Sequence, residues 1–338
     1  MSTRVGVHLS QTDEEEKVLK KLINEKEHFL GDMLDGLKFH DERVDVIEGT
    51  VVVRKDKKEE GPAIVSGGGS GHEPAHAGYV TEGMLDAAVC GEVFTSPTPD
   101  KVLAAIKHVD NGDGVLLVIK NYAGDVMNFE MAQEMAESEG HKVASVIVRD
   151  DVTIDQEEQR RGVAGTVLVH KYAGYLASQN VPLDQIKEKV EQMMTSLYSI
   201  GMAVQPCMVP TTGEYGFDLD EDEMEIGIGI HGEKGIYREK LASVDEIANR
   251  LLDELFKYTD GETFILMING MGGTPDSELS IVTKYVMESL EKRNRKVSKL
   301  LVGDYMTSLD MQGFSLTVAD DDEELIKALN APTESKHF

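Results

Sequence analysis

His72, Glu73 and His76 stand in the stretch SGGGSGHEPAH (66–76) as a literal H-E-x-x-H. On a helix that spacing would place two imidazoles on one face with a glutamate beside a metal-bound water, the chemistry of a zinc hydrolase. Two features argue against it. Pro74 leaves little helix around the first histidine, and the continuation AGYVTEG carries no third ligand at the expected offset, so no metal is expected. The glycines in front read better as a strand, a tight turn and a helix start whose bare N–H groups can close around a polar oxygen. The loop is not of the Walker type, because His72 and Glu73 replace the Lys-Ser/Thr pair, so no ordinary nucleotide site is expected. A turn that only packs would use the same residues.

Other residues invite chemistry. MEIGIGIHGE (224–233) alternates, placing Ile226, Ile228 and Ile230 on one expected strand face and Gly227, Gly229 and His231 on the other; a bare strand face favours close approach by backbone or ligand. A strand-end histidine can equally be structural. In LLVIKNYAGD (116–125), Lys120 and Asp125 flank a short βα loop of the kind that borders the crevice of an open α/β sheet, where Asp125 can also serve as a helix N-cap. Thr95 and Ser96 bring hydroxyls to GEVFTSPTPD (91–100), in a turn that capping explains almost as well. The run DLDEDE (218–223) has carboxylates at calcium-loop offsets, but Glu223 stands where glycine is required, and it reads as a solvated turn.

The elements that must position these residues follow from hydrophobic period. Residues 11–37 read as one or two amphipathic helices. Short β-branched runs, at 51–54, 63–71, 116–125 and 142–151, then alternate with helical patterns at 126–140 and 165–179. Residues 183–204 read as helical, and the rhythm resumes with strands at 224–233, 263–273, 299–305 and 313–320 and helices at 243–258 and 276–294. This rhythm predicts an α/β fold in two α/β domains with a boundary near residue 195, the first bearing the glycine loop and the second, over 196–338, bearing His231.

Bulk composition excludes several classes. The 34 basic and 62 acidic residues give a formal charge of −28, which repels phosphate backbones and anionic lipid. No segment approaches the roughly 18 uninterrupted apolar residues of a membrane helix. With no secretory pattern at the start and only Cys90 and Cys207, a cytoplasmic protein without disulfides is expected.

Taken together, SGGGSGHEPAHAGYV, GEVFTSPTPD, VIKNYAGD, RRGVAGTVLVHK, EMEIGIGIHGE, NGMGGTP and YMTSLDMQGFSLT resemble, in the same order, the DhaK family of dihydroxyacetone-binding kinase subunits, from about residue 19 to residue 330, which implies an N-terminal extension over 1–18 and a first domain over 19–195. The resemblance implies mixed sheets flanked by helices, usually in a homodimer, and a covalent hemiaminal between His231 and the ketone carbon of dihydroxyacetone. It implies Asp125 as the base for the terminal hydroxyl, His72 as a partner of the ketone oxygen or of hemiaminal formation, and Gly68, Gly69, Thr95, Ser96 and Lys120 as residues that position the triose. It implies no cofactor in this chain: a DhaL partner carries the nucleotide and DhaM recharges it. The segment before RRG is shorter than the family pattern, Asp276 and Ser277 replace commoner apolar residues, and the tail APTESKHF lacks the usual tryptophan. The same resemblance extends to DhaQ, a paralogue that binds dihydroxyacetone without phosphorylating it and coactivates DhaS, a regulator of the TetR type. The acidic surface suits either role.

Overall fold

The computed structural model describes residues 20–338 and contains two six-stranded sheets. The expected extension over 1–18 lies outside the described residues. The chain enters through α1 (Phe29–His40), then β1 (Val44–Ile47), β2 (Val51–Arg54), β3 (Ala63–Ser70), β4 (Ala87–Val93), α2 (Pro99–Val109), β5 (Val115–Lys120), α3 (Ala123–Ser138) and β6 (Val143–Val148). Two helices follow, α4 (Thr166–Ser178) and α5 (Leu183–Met194). The second sheet is built from β7 (Tyr198–Gln205), β8 (Glu223–Ile226), β9 (Tyr237–Lys240), β10 (Thr263–Gly270), β11 (Lys296–Gly303) and β12 (Gln312–Asp320). Its helices are α6 (Val244–Leu255) and α7 (Asp276–Lys292), and α8 (Glu323–Asn330) follows the last strand.

Both sheets are mixed, as the α/β reading requires. The first runs β1-β2-β4-β3-β5-β6, with β4, β3, β5 and β6 parallel and β1 and β2 antiparallel. The second runs β11-β10-β12-β7-β8-β9, with only β10 and β11 parallel. Alternating side chains define the layers. Ala63, Val65, Leu117 and Ile119 pack on α2 and α3, whereas Ile64, Leu116 and Val118 face α4 and α5. That second core also takes in Ile265, Met267 and Ala319 of the other sheet, so α4 and α5 lie between the two sheets. The remaining face of the second sheet, with Leu266, Ile268 and Leu316, packs on α6 and α7.

Three expectations require correction. Residues 183–204 are not one helix, because α5 ends at Met194 and Tyr198–Gln205 is a strand. β7 sits inside the sheet between β12 and β8, buried on both faces, so it lacks the alternation that marks a half-exposed strand. The strand expected over 224–233 stops at Ile226: Gly227 turns with φ +83°, and the Gly229 N–H bonds the Glu233 carbonyl. Ile228 and Ile230 are therefore buried in a compact loop together with Gly227 and Gly229, not on opposite faces of a strand. Asp125 does not cap α3; Tyr122 occupies that position and Asp125 lies within the first turn.

Candidate functional site

The site forms where the C-terminal ends of β3, β4 and β5 meet two loops of the second sheet, a normal place for a crevice in a parallel sheet. Gly71 to His76 is not helical, so the two histidines of HExxH do not share a face. His72 is fully buried and points toward the second sheet; its Nδ1–H donates to the Thr307 carbonyl at 2.9 Å. The same backbone is pinned by Thr307 N–H to His72 O, Leu309 N–H to Gly71 O, and Thr307 Oγ1 to Glu73 O. Its free nitrogen, Nε2, lies 3.0 Å from Nε2 of His231, 159 positions further along the chain. Phe94 stacks on His72, and the rings of Phe94 and Tyr122 lie edgewise to His231, with centroids 5.2 and 4.6 Å away. Burial, with His231 and Lys120 nearby, holds the imidazole of His72 well below the usual histidine range, so it is a neutral base at pH 7.

A second group lies deeper. Lys120, the last residue of β5 and wholly buried, sets its Nζ 3.5 Å from Asp125 Oδ2 and 3.1 Å from Nε2 of His76. The other carboxylate oxygen, Asp125 Oδ1, is buried with no hydrogen-bond partner, and such an atom calls for a ligand hydroxyl or water. Gly68 joins this group, since a Cβ there would lie 2.1 Å from Lys120 Nζ and 3.4 Å from Asp125 Oδ2. A Cβ on Gly69 would stand 2.5 Å from the backbone nitrogen of Thr95. Glycine thus lets β3 pass against the β4–α2 loop and leaves its backbone bare. The Ser96 hydroxyl adjoins Gly124 at the start of α3, whereas Thr95 is exposed and its hydroxyl turns back to the Val93 carbonyl.

Several residues escaped the sequence reading. Glu233 was visible within GIHGE, but its reach was not: Oε1 accepts from His231 Nδ1 and Oε2 from the His231 backbone N–H, each at 2.9 Å. Burial works to raise this carboxyl, but the His231 hydrogen bond and the charges of His231 and Arg161 outweigh it and hold it at about 2. His76 and His170 form a buried layer under Lys120, both within reach of the Ser66 hydroxyl.

Burial, aided by the Lys120 charge, lowers His170 from 6.5 to about 3. Between those values the unfolded chain binds a proton that the folded chain refuses. The stability this neutral histidine contributes is complete above pH 6.5 and is lost as the pH falls toward 3, at about 1.4 kcal/mol per pH unit. His72 and His76 act in the same direction; Asp150, raised by burial to about 6, opposes them below that pH. Urea midpoints measured for the chain and for His170→Gln should therefore diverge in slope by about one proton between pH 6.5 and 5. Parallel curves would refute the assignment.

The two-sheet α/β fold thus sets a facing histidine pair, one ring buried and one partly exposed, beside a buried lysine–carboxylate pair. The chain matches the Dak1 domain model over residues 36–337 and belongs to that family. It is 46% identical over 326 residues to the dihydroxyacetone-binding subunit DhaK of a PTS-dependent dihydroxyacetone kinase of Listeria innocua, which covers 94% of this chain and 99% of the relative. Among solved structures it resembles the dihydroxyacetone kinase of C. freundii in its native form, with a TM-score of 0.90 and 35% identity over 95% of this chain and 60% of the other. It also resembles the dihydroxyacetone kinase operon co-activator Dha-DhaQ, with a TM-score of 0.86 and 36% identity over 90% of this chain and 97% of the other. Among the described residues no helix is long and apolar enough to cross a membrane.

Proposed function

We propose that this chain is the dihydroxyacetone-binding subunit of a phosphotransferase-dependent dihydroxyacetone kinase, working in the cytoplasm as a homodimer. The observation that carries the reading is the contact of His231 Nε2 with His72 Nε2 in a pocket walled by aromatic rings. His231 adds through Nε2 to the ketone carbon, and His72 meets the ketone oxygen that this addition turns into a hydroxyl. Glycerol has no carbonyl to attack, so bonding itself selects the ketone. The unpartnered Oδ1 of Asp125 takes the terminal hydroxyl and accepts its proton as that oxygen attacks phosphorus, while Lys120 holds the carboxylate in place. The backbone at Gly68 and Gly69, with Ser96 and Thr95 at the rim, completes the cradle. The phosphoryl group comes from nucleotide on a separate DhaL-type subunit, itself recharged by a DhaM-type protein, and this chain contributes no cofactor.

The resemblance to the co-activator favours a second reading, a dihydroxyacetone sensor that docks on a DhaS-type regulator. One assay separates them. The purified chain is incubated with dihydroxyacetone and its intact mass recorded, then mixed with the DhaL and DhaM subunits and the general phosphotransferase proteins. A mass increment of one triose together with phosphorylated product supports the kinase subunit. The increment without product supports the sensor, and no increment refutes both.

A further inference from the structure

We propose that Glu233, braced by Arg161 and Asp151, is a positioning residue for His231: its carboxylate takes the Nδ1–H, turns Nε2 toward His72, and leaves the two rings sharing one proton between their facing nitrogens. This rests on the covalent reading above and names what prepares the nucleophile. Glu233 binds the same residue twice, at the ring and at the backbone N–H. Arg161 NH1 stands 3.9 Å from Glu233 Oε2, and the guanidinium is fixed by Asp151 Oδ2 at 2.6–2.7 Å, by Thr153 Oγ1 at 2.8 Å and by the Gly227 carbonyl at 3.1 Å. A Cβ on Gly229 would sit 2.0 Å from Glu233 Oε2 and 2.6 Å from Arg161 NH1, so the glycine of GIHGE makes room for this bracing.

The shared proton follows from counting donors. The Thr307 carbonyl can only accept, so His72 carries its hydrogen on Nδ1. The Glu233 carboxylate accepts likewise, so His231 carries one on Nδ1. Were both rings neutral, two lone pairs would face each other at 3.0 Å. One proton between them removes the conflict, and His231 keeps it, because Glu233 balances its charge while the ammonium of Lys120 lies on the His72 side. The directions already given agree: His72 resists protonation and Glu233 stays ionised. Tyr122 packs on the His231 ring, Asp151 pairs with Arg161, and Asp150 is turned to the backbone of Val163 and Gly165 and to Ser199.

With this arrangement the covalent step balances without outside help. The shared proton passes to His72, freeing the Nε2 lone pair of His231. That pair forms the bond to the ketone carbon as the carbonyl π pair becomes an alkoxide, which takes the proton back from His72. The product is a hydroxyl bonded to a neutral His72 and a substituted imidazolium on His231, still donating Nδ1–H to Glu233. Net charge is unchanged, and addition neither takes up nor releases a proton.

The test uses the full chain with 15N-labelled histidine, assigned with His231→Ala, before and after dihydroxyacetone. The expected ligand-free spectrum shows both ring nitrogens of His231 protonated and His72 protonated on Nδ1 only. Glu233→Gln should weaken adduct formation by about 10- to 100-fold, the effect of losing one charged hydrogen bond, and shift the alkaline limb of its pH profile to lower pH; Glu233→Asp should restore part of both. A wild-type His231 that is neutral and protonated on Nε2 overturns the proposal. So does a folded Glu233→Gln with the wild-type yield and pH limb. Should that variant not fold, the wild-type ring spectra decide. If the wild type takes up no triose, the covalent reading fails, and the ring spectra still judge the role of Glu233.

Discussion

His231→Ala should abolish the mass increment that dihydroxyacetone adds to the intact chain. Removing the imidazole removes the group placed for attack at the end of the aromatic pocket, between His72, Phe94 and Tyr122. What remains for the triose is hydrogen bonding to groups that water satisfies nearly as well. Retention should therefore fall by about 100-fold or more, each tenfold being about 1.4 kcal/mol, and the residual binding should no longer distinguish dihydroxyacetone from glycerol. The His231 side chain is partly exposed and lies in a loop, so its truncation removes little packing, but Glu233 loses the partner that holds it ionised, and the denaturation midpoint should fall modestly. A triose mass surviving in the variant would move the covalent site to another residue.

The contrast with His72→Ala is informative because the two rings differ in burial. His72 is wholly buried and bonded to the loop that ties the two sheets together, so its loss removes core packing as well as chemistry. A drop in adduct formation there is interpretable only beside a stability measurement. At His231 the packing loss is smaller, and the cost falls on Glu233 instead of on the core.

The glycine loop, GIHGE and the Lys120–Asp125 pair were legible as separate signals because each is a local pattern of residue types. Their conjunction was not, since His72 and His231 are brought together by the loop around Thr307, and no spacing in the sequence encodes that. The same limit hid the bracing of Glu233 by Arg161, which reaches it from the segment after β6. Among the elements, β10 and β12 were found because turn residues bound their apolar runs, whereas β7 merged with the helix before it because a doubly buried strand has no alternation to show. β4, the short edge strands β1 and β9, and the helices α2 and α8 were not anticipated. In β4, Ala87, Ala88 and Gly91 replace the β-branched residues that usually mark a strand.

Asp125→Asn carries the sharpest discrimination between the two functional readings. The carboxylate is 3% exposed, one oxygen is paired with Lys120, and the other has no partner. Asparagine keeps the volume and an acceptor but cannot take a proton, so a kinase subunit should lose about 10²- to 10⁴-fold in turnover. Adduct formation depends on His231 and His72 and should persist, so the variant should still gain the mass of one triose. The substitution also leaves a buried ammonium without its counterion, and the denaturation midpoint must be recorded to separate that cost from catalysis. Loss of turnover with the adduct intact would make Asp125 the base and the chain a kinase subunit. If turnover survives, phosphoryl transfer does not run through this carboxylate. If neither wild type nor variant turns over while both hold the triose, the pair of Lys120 and Asp125 serves only to grip the substrate, and the chain acts by reporting its presence.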